Sequence, residues 1–295
     1  MFSPTASSAE HPAKYFSTGS FSPVTFGRFV EEKRYLENVS PRTARGYWDA
    51  LAAFHRYHMG NEITADSLKK MVVRMSQSGM TPGAVHSYAR SLNTFLRWSD
   101  YGVTVPLPRL AHKVLTTYTP QHITALLSTH PQTQTDTRLR ALLAFLVDTG
   151  ARIGEALTLT RDAVDLDNLL VRLHGKTGQR VVPISIEGRK RLYTWLRSHH
   201  HRIVFPTVTG RKLRYDNLRT DFVAWLERCN VPQAEGSFHA FRRYFAQQYL
   251  ANGGNPLYLQ RILGHSDLTM VNRYVSEMTG EIARVHNDLS PLVRR

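Results

Sequence analysis

The sequence predicts a mainly α-helical protein with one small antiparallel sheet (α+β), arranged as an N-terminal helical bundle and a larger C-terminal domain. Three observations carry that expectation. Apolar residues recur at three-to-four-residue spacing through most of the chain. Ser-Pro and Thr-Pro pairs mark helix starts. One stretch, 170–184, switches to a two-residue period.

Taken in order, the Ser/Thr/Pro-rich opening at 1–22 reads as a flexible arm. FGRFVEEKRYL then spaces Phe26, Phe29, Val30 and Leu36 for one helix face. Ser40-Pro41 supplies an N-cap and a proline at the first helical position, opening a helix that aligns Tyr47, Leu51, Phe54 and His58. A shorter helix spans Ser67 to Met75, and Thr81-Pro82 repeats the cap ahead of Val85, Tyr88, Leu92, Phe95 and Leu96. Residues 23–105 therefore read as a small helical bundle.

Pro106 and Pro108 cannot continue a helix, so 106–118 reads as an extended linker to a second domain at 119–295. Thr119-Pro120 opens that domain, and Thr137 to Thr149 is apolar enough for a buried helix. Val171 and Leu173 alternate with Leu170, Arg172 and His174; Gly175-Lys176-Thr177-Gly178 turns; Val181 to Ile184 runs back. That is a β-hairpin with a glycine-flanked lysine near its tip. Helices follow at Tyr215–Arg228, Ala240–Leu250 and Leu257–Leu263, with a short piece around Thr269–Tyr274.

The charge balance narrows the function. The chain has 295 residues, with 38 Lys+Arg against 23 Asp+Glu, a net charge of +15. Positions 1–110 hold 13 basic and 8 acidic residues, and 111–295 hold 25 and 15, so both parts are basic. Such a surplus fits a polyanionic partner, nucleic acid or an anionic membrane surface. No apolar run is long enough to span a membrane, and the first twenty residues lack the apolar segment of a secretory signal. Cys229 is the single cysteine, which excludes an internal disulfide and a cysteine-based metal cluster. A cytoplasmic, basic protein is expected.

Four spots in the second domain collect phosphate-type chemistry. In TGARIGE, Gly150 turns the chain, Arg152 begins a helix and Glu155 lies one turn on, where its carboxylate can hold the guanidinium. An ordinary surface ion pair is the plainer alternative. Lys176 on the hairpin is either a solvated turn lysine or a ligand contact. In SFHAFRRYF, Ser237 is the expected N-cap, His239 and Arg242 share a face at an anion-favouring helix start, and Phe241, Phe245 and Tyr249 form the core stripe. In LGHSDLTMVNRY, Gly264 ends a helix, His265 stands in the corner and Tyr274 follows. The run His199-His200-His201 has no ligand-like spacing, so no metal site is expected.

The order Arg152, Lys176, His239-x-x-Arg242, Gly264-His265, Tyr274 resembles the tyrosine recombinase (phage integrase) family in sequence and spacing across about 119–280. The bundle is similar, more loosely, to that family's core-binding domain, and the second domain to its catalytic domain. Arg161 departs from the family pattern, standing where many members carry an aromatic residue.

The resemblance implies a site-specific DNA recombinase. Tyr274 would attack a DNA phosphodiester, giving a 3′-phosphotyrosyl bond and a free 5′ hydroxyl, and a Holliday junction would follow. Arg152 and Arg242 would hold the non-bridging oxygens, with His265 adding a hydrogen bond. Lys176 would protonate the leaving oxygen, and His239 would take the phenol proton or hold the phosphate. Glu155 would orient Arg152. The bond energy stays in the phosphotyrosine, so no nucleotide, metal or other cofactor is expected. The implied partners are double-stranded recombination sites and further copies of the chain, assembled as a tetramer through the segment carrying Ile282, Val285 and Leu289. Arg42, Arg45, Arg90, Arg211, Lys212 and Arg214 are DNA-contact candidates, and residence on the nucleoid is expected. A type IB topoisomerase-like relaxing enzyme and a non-catalytic DNA-binding protein are the rival readings.

Overall fold

A computed structural model describes residues 23–59, 62–110, 115–175 and 178–264. The arm at 1–22, Lys176, His265, the helix expected near Thr269–Tyr274 and the segment with Ile282, Val285 and Leu289 lie outside the described residues. The chain divides into two compact units, Met1–Lys113 and Val114–Arg295.

Among its described residues the first unit holds four helices: α1 (Pro23–Tyr35), α2 (Pro41–Tyr57), α3 (Ala65–Gln77) and α4 (Pro82–Trp98). Their starts follow from local chemistry. The hydroxyls of Ser40 and Thr81 accept from the backbone N–H groups of Thr43 and Ala84, each ahead of a proline in the first turn. Thr64 and Ser67 form a reciprocal capping box, so α3 begins at Ala65, ahead of the expected Ser67. Phe26, Phe29, Leu51, Leu68, Met71, Leu92 and Phe95 are fully buried between the helices. Each such side chain contributes about 1.5–3 kcal/mol of burial. The indole N–H of Trp98 donates to Glu32 at 2.8 Å, which satisfies the polar edge of this aromatic core. Beyond α4, Asn93 clasps Val105 from both sides. Its Nδ2 donates to the carbonyl at 2.9 Å, and the backbone N–H of Val105 donates to its Oδ1 at 2.7 Å.

The second unit is organised around α6 (Gln134–Thr149), against which α5 (Pro120–Ser128), α8 (Ile186–Arg197), α9 (Tyr215–Arg228) and α10 (His239–Ala251) pack. Leu139, Leu142, Leu143 and Leu146 of α6 are buried to within 1%. The sheet runs β1 (Val164–Asp165), β2 (Leu170–Gly175), β3 (Gly178–Pro183), antiparallel in that order. Val171 pairs with Val182, and both are buried with Leu173 on the inner face. A one-turn helix, α7 (Ile153–Ala156), follows α6, and α11 (Pro256–Leu263) closes the described part. At the entrance of the unit, Thr117 Oγ1 donates to the carbonyl of Ala240 at 3.0 Å, and Arg243 donates to the carbonyl of Thr116 at 2.7 Å.

The mainly α architecture with a small antiparallel sheet agrees with the sequence, and four details differ. The hairpin gains a third strand, the two-residue β1. Helix α8, unmarked in the sequence reading, is capped by Ser185 and inserts Leu192, Trp195 and Leu196 into the core. Ser237 is not the cap of α10. Its φ is +49°, its Oγ has no partner among the described residues, and Phe238 takes the N-cap position without a side-chain bond. The stripe on α10 also divides. Phe241 joins the main core, while Phe245 and Tyr249 pack on a separate cluster of Ala246, Leu250, Leu259 and Leu263. Arg161, the departure from the family pattern, donates to the carbonyls of Leu196 (2.6 Å), His199 and His201 (2.8 Å). A guanidinium thus stoppers the carbonyl end of α8.

Candidate active site

The site begins where α6 ends. Gly150 adopts the left-handed conformation (φ +61°) and reverses the chain, which delivers Arg152 in extended conformation as the N-cap of α7. Glu155, in the first turn of α7, reaches back. Its Oε2 accepts the backbone N–H of Arg152 at 2.8 Å, and its Oε1 accepts Arg152 Nη1 at 3.1 Å. The expected Arg152–Glu155 pair is therefore present. It is not a surface pair, because the Glu155 side chain is only 3% exposed while Arg152 keeps 29%.

A second guanidinium completes this carboxylate. Arg180 on β3 donates Nη1 to Glu155 Oε1 at 2.6 Å and Nη2 to Oε2 at 2.8 Å, a two-pronged clasp. Burial alone pushes the Glu155 carboxyl up, but the bonds from Arg180 and Arg152 outweigh it and bring it down to about 2. Arg180 was not singled out in the sequence. The signal was available, since strand alternation puts it on the inward face with the buried Val182, where an arginine requires an acceptor.

Arg242 arrives from α10 and is 6% exposed. Its Nη1 donates to the carbonyl of Gly150 at 2.8 Å and its Nη2 to the carbonyl of Leu263 at 2.5 Å. Arg180 Nε takes the preceding carbonyl, that of Ile262, at 2.7 Å. Two arginines from different elements thus hold consecutive carbonyls at the end of α11. Gly264 follows in the left-handed conformation as the C-cap, where a Cβ would lie 2.8 Å from Arg180 Cδ. Close packing also governs Gly175, whose Cβ would meet Glu155 Oε1 at 2.4 Å.

His239 stands exposed at the start of α10. Desolvation by its surroundings, then the positive charges of Arg242, Arg152 and Arg243, hold its imidazole below the usual range. That field brings three of the expected residues, Arg152, His239 and Arg242, into one locality. Lys176, His265 and Tyr274 lie outside the described residues; Gly175, which precedes Lys176, borders Glu155, and Gly264, which precedes His265, borders Arg180. The other candidates are dispersed. Arg211, Lys212 and Arg214 are exposed ahead of α9; Arg42, Arg45 and Arg90 are exposed on α2 and α4 of the first unit. Arg90 borders a groove with Thr43, His86 and Arg97, and Arg45 pairs with Asp49 at 3.4 Å. Among the described residues, no three His, Cys, Asp or Glu side chains are grouped to hold a metal. No described helix is long and apolar enough to cross a membrane.

Comparison with known proteins identifies the family and the fold. The sequence profile of the phage integrase family matches residues 116–280. The tyrosine recombinase XerA of Thermococcus kodakarensis is 27% identical over 267 residues, covering 88% of this chain and 93% of its own. XerC of Chromobacterium violaceum is 24% identical over 285 residues, covering 89% and 95%. Among solved structures, the Tn1549 transposon integrase in complex with circular intermediate DNA superposes with a TM-score of 0.73 at 18% identity, covering 88% of this chain and 99% of that one. A lambda integrase dimer bound to a COC′ core site gives 0.69 at 16% identity, covering 85% and 94%.

Proposed function

The chain belongs to the phage integrase family, and on that premise we propose that it is a tyrosine site-specific recombinase, cutting and rejoining DNA without metal or ATP. The observation that supports this reading most is that Arg242 donates to the Gly150 carbonyl at 2.8 Å, two residues before Arg152, which joins segments about ninety residues apart. Convergent guanidiniums match the non-bridging oxygens of a phosphodiester, and their charge acts most strongly on the pentacoordinate transition state.

The Tyr274 oxygen attacks phosphorus and forms the phosphotyrosyl bond to the 3′ side as the bond to the 5′ oxygen breaks. His239, neutral at pH 7, accepts the phenolic proton or hydrogen-bonds the phosphate. Lys176 gives a proton to the departing 5′ oxygen, and His265 donates to a non-bridging oxygen. Reversal by a 5′ hydroxyl from a second duplex restores the diester, and repetition resolves a Holliday junction. Arg42, Arg45 and Arg90 of the helical bundle at 23–105 and Arg211, Lys212 and Arg214 of the second unit contact the duplex. Four protomers assemble on paired sites, through the segment after Tyr274, and the protein works on the nucleoid.

Covalent trapping tests this. Purified protein is mixed with randomly nicked duplex fragments covering the genome that carries its gene, and denaturant-resistant adducts are recovered. The wild type is expected to capture a discrete site through its 3′ phosphate, and Tyr274→Phe to capture none. Absence of any wild-type adduct overturns the reading. Relaxation of supercoils without junction resolution on the captured site would select the topoisomerase alternative.

A further inference from the structure

We propose that Arg180 is a positioning residue for strand cleavage: by occupying Glu155, it leaves Arg152 with an uncancelled positive charge for the scissile phosphate. This inference rests on the recombinase reading. Arg180 is 11% exposed and commits three of its five N–H donors inward, two to Glu155 and one to the Ile262 carbonyl, so its charge is directed at the carboxylate.

The charge count decides its role. Glu155 carries one negative charge and meets two guanidiniums. Arg180 makes the shorter, two-pronged contact and is the more enclosed partner, whereas Arg152 makes one longer side-chain contact of 3.1 Å and remains 29% exposed. The carboxylate is thus neutralised chiefly from the buried side, and the surplus charge resides on the guanidinium that faces solvent. Without Arg180, Glu155 would be a buried carboxylate with Arg152 as its remaining side-chain partner among the described residues. Arg152 would then be drawn into a full ion pair and away from the phosphate. The same guanidinium also joins β3 to the last turn of α11, so the strands that lead to Lys176 and the turn that leads to His265 share one anchor.

The test uses the full-length protein and the captured duplex in nicked form, reading the single-turnover rate of adduct formation, DNA affinity and thermal midpoint. Arg180→Met is expected to slow adduct formation about 100-fold while DNA affinity stays within about threefold of wild type. Arg180→Met with Glu155→Gln removes the trapping charge and is expected to recover about tenfold over Arg180→Met, which a merely structural arginine would not allow. Adduct formation by Arg180→Met at the wild-type rate, or no recovery in the double variant, overturns the proposal. Should Arg180→Met not fold, Arg180→Gln decides: slowed cleavage that Glu155→Gln partly restores supports it, and cleavage at the wild-type rate overturns it. Wild-type protein on the same duplex is the control; if it forms no adduct, the recombinase reading has failed rather than this one.

Discussion

Gly150 and Phe245 touch so closely that a single methyl group cannot be inserted between them: a Cβ on Gly150 would lie 2.4 Å from Phe245 Cδ1. The glycine also holds a left-handed φ of +61°, so Gly150→Ala meets backbone strain and a clash together. A loss of about 2–4 kcal/mol is expected in urea unfolding. Phe245→Ala should relieve the clash and leave the strain, giving a coupling of about 1 kcal/mol or more in a double-mutant cycle. Strict additivity would contradict the contact.

Glu155 predicts an acid-sensitive stability. Its folded carboxyl lies at about 2, against an ordinary value of 4.5. A depressed carboxyl contributes stability that is complete above the ordinary value and is lost as pH falls towards the folded one. The contribution is about 3 kcal/mol. Unfolding curves of wild type and Glu155→Gln should therefore differ most at neutral pH and converge between about pH 4.5 and 2. Parallel curves across that window would refute the assignment.

His239 should titrate below the ordinary imidazole value of 6.5 in the DNA-free protein, because of desolvation and then the three neighbouring arginines. As pH drops below that value the unfolded chain takes up its proton before the folded one does, so this residue makes stability fall. The NMR midpoint of its ring proton checks the direction, and Arg152→Ala should move that midpoint upward. A wild-type midpoint at or above the ordinary value would contradict the shared field.

The exposed basic residues predict a salt signature. If Arg211, Lys212 and Arg214 each neutralise a phosphate, replacing all three by alanine should reduce the slope of log K against log salt by about 0.9 per contact. The same measurement on Arg42, Arg45 and Arg90 tests the first unit. A triple variant with the wild-type slope is not touching the backbone.

Local rules made most of the fold legible. Ser40-Pro41, Thr81-Pro82 and Thr119-Pro120 each open the helix they announce, and the alternation around Val171 and Val182 places the hairpin. Helix α8 escaped because Leu192, Trp195 and Leu196 stand among Arg189, Lys190, Arg191 and Arg197, which mask the apolar face. Ser237 misled because composition favours it as a cap, whereas its left-handed backbone sets the chain one residue short of the helix start. In the site, Arg152 and Glu155 were readable as an i, i+3 pair on one short helix. Arg180 was not, because its partner lies 25 positions away and tertiary packing alone unites them.

The Asn93 clasp on Val105 and the anchors at Thr116 and Thr117 bracket the covalent connection between the two units, leaving about ten intervening residues. Such a tether reaches at most about 40 Å. Once either unit has engaged a duplex, the other is confined to a small volume around it, at a local concentration on the order of millimolar. If both units contact the same duplex, two separate grips on a polymer can thereby act as one firm hold, each free to release on its own.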